Sequence, residues 1–316
     1  MHDDLLLLDS IRLNFSQASL HLMNISIGFI MFGVALGIKW ESFKDIFINP
    51  RQVLVGLGSQ FLVLPAVTFL AVWLLGGFIT PSVAFGMLLV ASCPGGNISN
   101  FISSVAKANV ELSVSLTALG TMLAVFFTPL NFAFWGGLYS TTSPLLRPIH
   151  INPFEMFQTV VILLGIPVIA GIFFSQKLPH ITRKIQKPIQ QISLVIFGAF
   201  VILAFRNNYE YFIEYMGWIF IIVLIHNILA LTTGYMFSGF FGLNRRDRRT
   251  ISIETGIQNS GLGLVLLFNP KIFPPELNIG GMAFIAAWWG IWHIVAGLGM
   301  ASLWSYWRPV HKFTDS

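Results

Sequence analysis

Nine apolar stretches follow one another along the chain, and no lysine or arginine falls inside any of them. They are Leu20–Ile38, Val53–Gly76, Ser82–Ala106, Leu112–Leu138, Met156–Ser175, Pro188–Phe205, Gly217–Gly239, Thr250–Phe268 and Gly281–Trp304. A bilayer core of ~30 Å takes ~20 apolar residues as a helix. In lipid the backbone has no water to bond, so a span must satisfy its own hydrogen bonds, as a helix does. The pattern predicts an all-α polytopic membrane protein with nine transmembrane helices. One transporter-sized membrane domain covers 20–304, between an N-terminal tail (1–19) and a C-terminal tail (305–316). Charged residues make up 10% of the chain, against about 25% in soluble domains, which excludes most soluble enzymes.

The basic residues then set the orientation. If the connections alternate sides, Arg12, Arg147, Arg206 and Lys271 fall on one side and the other fourteen of the 18 lysines and arginines on the opposite side. Cytoplasmic loops carry the basic excess, so the expectation is a cell-membrane protein with its N-terminus outside and its C-terminus in the cytoplasm. The net charge of +5 is explained by these loop clusters, including Arg245-Arg246-Asp247-Arg248-Arg249, and gives no reason to expect a nucleic-acid partner. Cys93 is the only cysteine, which excludes a disulfide framework within the chain and a Cys-based zinc site. The acidic start, Met1-His2-Asp3-Asp4, with only four leucines after it, does not read as a signal peptide.

Two spans are interrupted. In the third, Cys93-Pro94-Gly95-Gly96-Asn97 combines a residue without an amide donor with two glycines, and Asn97 is a suitable N-cap for a second half-helix. The halves of about 12 and 10 residues add to ~33 Å, which puts the break near mid-membrane. In the eighth, seven of the nine residues from Ser252 to Ser260 are polar, charged or glycine. Each interrupted helix is the penultimate one of its half of the chain, the layout of an inverted repeat in which the first half lacks its leading helix. Discontinuous helices at corresponding positions of two halves point to a transporter's binding site. Crossed antiparallel, they would bring together two positive N-termini and two negative C-termini. Prolines 65, 129 and 167 read as kinks.

Glu254 is the one acidic residue of thirteen within a span. A charge at mid-membrane costs ~2.5–3.5 kcal/mol on insertion scales, so it marks function by default. Ser113 and Thr117 lie one helical turn apart on one face, and Gln60 is a lone amide in the second span. Hydroxyl, amide, carbonyl and one carboxylate are hard oxygen donors, suited to Na⁺. Taken alone, Ser113 and Thr117 read first as bonding back to their own helix or holding helices together. Gln60 and His293 are each open between packing and ligation, whereas His226 reads as helix packing. With no basic residue in a span, an organic anion would be held by half-helix N-termini together with Asn97, Asn259 and His293. An intramembrane protease is excluded: no Gly-x-Ser-Gly, membrane aspartate pair or His-Glu-x-x-His occurs. Trp288, Trp289 and Trp292 in the last span read mostly as packing or interfacial anchors, with a slight lean towards a substrate that has an apolar body.

At Cys93-Pro94-Gly95-Gly96-Asn97-Ile98-Ser99-Asn100, at Asn109 to Thr117 and at Arg249 to Gly261, the sequence resembles the bile acid:sodium symporter family. The likeness runs in order from about Leu20 to Trp307. It implies a core of helices 2, 3, 4, 7, 8 and 9 facing a panel of helices 1, 5 and 6. It also implies two sodium sites. The first would use Ser99, Asn100, Ser113, Thr117 and Glu254. The second would use Gln60, Gln258, Glu254 again, and backbone carbonyls near Thr255 and Ile257. No other cofactor is implied. The chain departs from many bacterial members in lacking a leading tenth helix and in having Ile294 after Trp292-His293 where an asparagine is common. The expected function is sodium-coupled symport of an organic anion, a bile acid or a related small carboxylate, by alternating access, from a monomer. The alternative is a proton-coupled carrier of organic acids in which Glu254 carries the proton.

Overall fold

The computed structural model describes residues 2–9, 17–38, 48–142, 153–206, 209–269, 272–273 and 277–306. These residues form α1 (His2–Asp9), α2 (Gln17–Ala35), α3 (Pro50–Leu74), α4 (Pro81–Ser92), α5 (Ile98–Val105), α6 (Val110–Thr142), α7 (153–177), α8 (Pro179–Arg206), α9 (Tyr209–Phe240), α10 (Arg245–Gly256), α11 (Ser260–Leu267) and α12 (Gly280–Tyr306). Among them α3, α6, α7, α9 and α12 are each long and apolar enough to cross a membrane. The third expected span is the broken pair α4 and α5, and the eighth is α10 and α11. The sixth helix starts nine residues earlier than the apolar pattern suggests, with Pro188 inside it. The apolar stretch marks only its hydrophobic part, because 180–187 is rich in charge.

α1 lies in the tail, where the sequence pattern predicts no helix. Its leucines split by position: Leu5 and Leu8 are fully buried, whereas Leu6 and Leu7 are exposed. The buried face packs on α4, α9 and α12. At its end, Asp9 accepts a hydrogen bond from Thr80 Oγ1 at 2.9 Å. Thr80 in turn caps the first turn of α4 through Val83 N.

Two prolines do more than kink. In α3 a wide turn, Ser59–Val63, replaces the regular helix, and Leu64 N donates five residues back to Ser59 O. In α7 the same device spans Val161–Gly165, with Ile166 N donating to Val161 O. Pro65 and Pro167 come immediately after. Proline cannot donate to the carbonyl four residues back, and its ring crowds that carbonyl. A π-type turn removes the clash.

α2 packs against α7 and α8, while α3, α4, α5, α6, α9, α10, α11 and α12 pack among themselves. Several close approaches between helices need glycine. A Cβ at Gly86 of α4 would lie 2.8 Å from Met282 Cα of α12, and one at Gly171 of α7 would lie 2.6 Å from Ala35 Cβ of α2. The main apolar core runs through α4, where Val83 to Ala91 are all buried.

Candidate ion and substrate site

The two interrupted helices cross and are joined there by backbone hydrogen bonds. Gly95 and Gln258 form an antiparallel bridge. Gly96 N donates to Ile257 O at 2.6 Å, and Asn259 N donates to Pro94 O at 2.8 Å. The bare backbone that each break exposes is thus satisfied by the other break, as a low-dielectric interior requires. α10 ends at Gly256, with Ile257 as its C-cap, and α11 begins after Asn259, whose side chain accepts from Leu262 N at 3.1 Å. Asn97 occupies the corresponding N-cap position of α5, but with helical dihedrals and no side-chain cap bond. Asn97 is exposed instead, so the side-chain cap expected of it on α5 is not made, whereas Asn259 does cap α11.

Glu254 stands in the last turn of α10 and is fully buried. Its Oε1 accepts from Ser99 Oγ and from Ser113 Oγ, each at 2.5 Å. Thr117 Oγ1 lies 3.1 Å from Oε1 and 3.2 Å from Oε2. Gln60 Nε2 reaches Oε2 at 3.4 Å. Asn100 Oδ1 accepts from Thr117 Oγ1 at 3.3 Å. Residues from α3, α5, α6 and α10 therefore converge on one carboxylate. Ser113 and Thr117 turn toward Glu254 rather than back to their own helix, which decides the alternative the sequence leaves open. Thr121, one turn on, does bond back, to Thr117 O.

The other expected residues lie alongside. Gln258 is fully buried and donates from Nε2 to Thr255 O at 2.7 Å. Thr255 Oγ1 is 2.8 Å from Ser59 Oγ. The Oε1 atoms of Gln60 and Gln258 are both buried without a hydrogen-bond partner. Buried amide oxygens normally have partners, and the unpartnered one of Gln60, whose amide reaches Glu254, adds to a donor set that fits a hard monovalent cation. Thr255 O and Ile257 O already accept one bond each. A carbonyl has a second lone pair, so neither is excluded as a ligand.

A cavity of about 680 Å³ opens beside the crossing, lined by residues of α2, α5, α6, α8, α11 and α12 and by both breaks. Its wall includes Asn97, Asn259 and His293, so the three residues expected to hold an anion do share one space. His293 is buried, with Nδ1 unpartnered. The N-termini of α5 and α11 end at this cavity, and among the described residues no Lys, Arg, Asp or Glu lines it. Asn100, Thr117 and Gln258 border the cavity and also touch or flank the Glu254 cluster. The Glu254 cluster and the cavity therefore share a wall.

The tryptophans of the last span pack, as their main reading from the sequence has it. Trp288, Trp289 and Trp292 are not part of this wall. Trp289 is fully buried against His226, and Trp288 and Trp292 pack on Phe220. The apolar surface of the cavity comes from Ile30, Met31, Val34, Val114, Ala118 and Val265, among others. Ile294 does line it. His226 is a packing residue, paired with Thr68 Oγ1 at 2.9 Å.

The sequence did not single out several supporting groups. Asn227 donates to Gly256 O at 2.8 Å, one of the last carbonyls of α10, and Asn131 donates to Phe61 O at 2.8 Å in the wide turn of α3. The arginine run also does more than set topology. Arg249 donates to Ala106 O beyond the C-terminal end of α5 at 3.0 Å and lies over Trp304. Arg248 lies over Tyr235, 4.1 Å from its ring centre. A basic side chain at a helix C-terminus offsets its partial negative charge.

Known proteins resemble this chain along most of its length. Residues 24–215 match the model of the sodium bile acid symporter family. A Bacillus subtilis protein named uncharacterized sodium-dependent transporter YocS is 28% identical over 286 residues, covering 90% of this chain and 83% of its own. The probable sodium/metabolite cotransporter BASS2, chloroplastic, of Oryza sativa subsp. japonica is 28% identical, covering 84% and 64%. Sodium/bile acid cotransporter 5 of Rattus norvegicus is 26% identical, covering 84% and 59%. The chain thus spans less than two thirds of the length of these plant and animal relatives. A family match over more than half of the chain, with relatives named as sodium-dependent carriers along most of it, leads to one conclusion: the chain belongs to the sodium bile acid symporter family and is a sodium-coupled membrane transporter, not an enzyme.

Proposed function

We propose that the protein carries an organic anion across the cell membrane together with sodium ions. The observation that carries this reading is Glu254, a fully buried carboxylate ringed by the hydroxyls of Ser99, Ser113 and Thr117 and the amide of Gln60. No lysine or arginine is within ion-pair reach among the described hydrogen bonds of this carboxylate. A buried charge needs a counter-charge or full solvation by dipoles. A bound Na⁺ supplies the former, with the hydroxyl oxygens turning their lone pairs to the metal.

In this reading one ion lies among Ser99, Asn100, Ser113, Thr117 and Glu254. A second lies among Gln60, Gln258, Glu254 and the carbonyls of Thr255 and Ile257. The substrate's anionic end sits at the N-termini of α5 and α11, with Asn97, Asn259 and His293 as hydrogen-bonding groups. Two oriented helix N-termini are an anion site without any basic side chain. The apolar walls take the rest of a carboxylate or sulfonate of modest size. Because Asn100, Thr117 and Gln258 serve both spaces, a bound ion orders the wall that the substrate touches, and that shared wall couples the two. The crossed helices and their neighbours move as a core against a panel of α2, α7 and α8 to give alternating access. The N-terminus lies outside and the C-terminus in the cytoplasm, in keeping with the basic loops.

Two sodium ions with one monoanion move one positive charge inward, worth ~2.3 kcal/mol per 100 mV. Uptake into proteoliposomes therefore rises with outside sodium and with an inside-negative potential. Uptake driven by a pH gradient and indifferent to sodium refutes this and supports proton carriage on Glu254. Glu254→Gln abolishes sodium-driven uptake in protein that still inserts, because a carboxamide keeps the shape of the site and loses its charge.

A further inference from the structure

Asn131 lies on α6, far along the helix from Ser113 and Thr117, and touches none of the ion-site residues directly. It is 7% exposed, and its Nδ2 donates to Phe61 O at 2.8 Å. That carbonyl lies four residues before Pro65, so the donor a regular helix would offer it does not exist. Leu64 N, the next amide back, is already committed to Ser59 O, five residues earlier. Asn131 fills the gap with a side-chain donor from a neighbouring helix.

The turn it holds contains Gln60. Ser59–Val63 is the π-type segment of α3, with Ser59, Gln60 and Phe61 all buried. The segment is fastened at three points. Ser59 Oγ meets Thr255 Oγ1 at 2.8 Å, the Phe61 ring packs on Phe127 with centres 5.1 Å apart, and Phe61 O meets Asn131. Gln60 lies between these fastenings, threaded past two glycines. A Cβ at Gly95 would lie 3.2 Å from Gln60 Nε2, and one at Gly120 would lie 3.2 Å from Gln60 Oε1. A side chain confined this closely cannot reach the crossing from a helix of different register. One extra residue in a helical turn rotates the N-terminal part of the helix against the C-terminal part by about 100°. The wide turn therefore decides which way Gln60 faces.

We infer that Asn131 is a positioning residue for the second ion site: by taking the carbonyl that Pro65 leaves without a donor, it fixes the wide turn that aims Gln60 at Glu254. The inference rests on the reading of Gln60 as a sodium ligand. A simpler role is available to Asn131, namely satisfying a buried carbonyl, and the test must separate the two.

Sodium binding is measured on the purified full chain with radioactive sodium, alongside melting temperature. Asn131→Ala is compared with Gln60→Ala and with the double variant Asn131→Ala/Pro65→Ala. The double variant restores a main-chain N–H opposite Phe61 O, so it satisfies that carbonyl through a regular helix and folds even where Asn131→Ala alone does not. The expected result is that Gln60→Ala and Asn131→Ala both reduce bound sodium from about two ions to about one, or weaken the second ion at least tenfold. The double variant recovers the melting temperature but not the second ion. Recovery of both together overturns the inference and leaves Asn131 with a stabilising role alone. Loss of the second ion in Gln60→Ala with none in Asn131→Ala also overturns it, while the ion-site reading stands. Unchanged sodium binding in Gln60→Ala overturns that reading and the inference with it.

Discussion

Adding one methyl group at Gly95 tests whether the crossing is built around its ligands. A Cβ there would lie 2.7 Å from Glu254 Oε2, 3.1 Å from Glu254 O and 3.2 Å from Gln60 Nε2. The carboxylate cannot swing aside cheaply, because Ser99 and Ser113 hold its other oxygen at 2.5 Å each. The main-chain oxygen belongs to α10 and is fixed by the helix. The remaining escape is for Pro94–Gly96 to lift off, which stretches the bonds from Gly96 N to Ile257 O and from Asn259 N to Pro94 O. Forcing a methyl into a packed site costs about 1–3 kcal/mol. If that cost falls on the ion-binding arrangement, Gly95→Ala raises the sodium concentration for half-saturation by roughly 5- to 150-fold. Sodium-dependent thermal stabilisation of the purified protein reads this directly. Gly263→Ala is the control: its nearest neighbour, Cys93 Sγ, would be 3.6 Å away, an ordinary contact. Gly95→Ala with the parent's sodium response would refute the claim that Gly95, Gln60 and Glu254 form one close-packed ion site.

Thr117→Ala removes one of several hydroxyls around Glu254, so sodium affinity falls about tenfold in a titration while sodium-driven uptake persists, unlike the complete loss in Glu254→Gln. Asp9 gives a pH dependence outside the spans: burial raises its carboxyl from 3.8 to about 7, partly offset by the hydrogen bond from Thr80. Between those values the docked form holds a proton that the undocked form releases, so docking of α1 is firmest near pH 4, weakens by up to roughly tenfold per pH unit towards pH 7 and is level above it. Hydrogen exchange in residues 2–9, corrected for intrinsic rates, is accordingly faster at pH 8 than at pH 5. The difference disappears in Asp9→Asn, and its persistence there would assign the effect to another group.

The sequence marked this site most clearly where lipid penalises a residue most. Glu254 stood out because nothing else charged and acidic lies in a span, and Pro94-Gly95-Gly96 because three consecutive residues oppose helix. Both features depend on composition alone. What the pattern could not carry was direction. Ser113 and Thr117 had two physically sound partners, their own helix or a neighbour, and spacing does not choose between them. Pro65 and Pro167 looked like kinks because a π-type turn leaves no mark beyond the proline itself. Asn131 and Asn227 were ordinary polar residues in apolar runs until their acceptors, Phe61 O and Gly256 O, were in view. The tryptophans of α12 pack on Phe220 and His226 of α9, so their apolar surface says nothing about the substrate. Leu5 and Leu8 formed too short a run to mark a helix, because the surface that buries them comes from elements far along the chain.

The bridge between Gly95 and Gln258 has a consequence for how the protein is made. Each interruption supplies the hydrogen bonds the other lacks, yet the second is synthesised roughly 160 residues after the first. At about 5–20 residues per second, the Pro94–Gly96 backbone waits on the order of ten seconds or more for its partner. It cannot wait in hydrocarbon, where each unsatisfied amide or carbonyl costs several kcal/mol. The first half must therefore stay beside the insertion machinery, or in water at the membrane surface, until α10 and α11 arrive. A nascent chain truncated before Arg245 is then a client of membrane quality control rather than a half-built carrier.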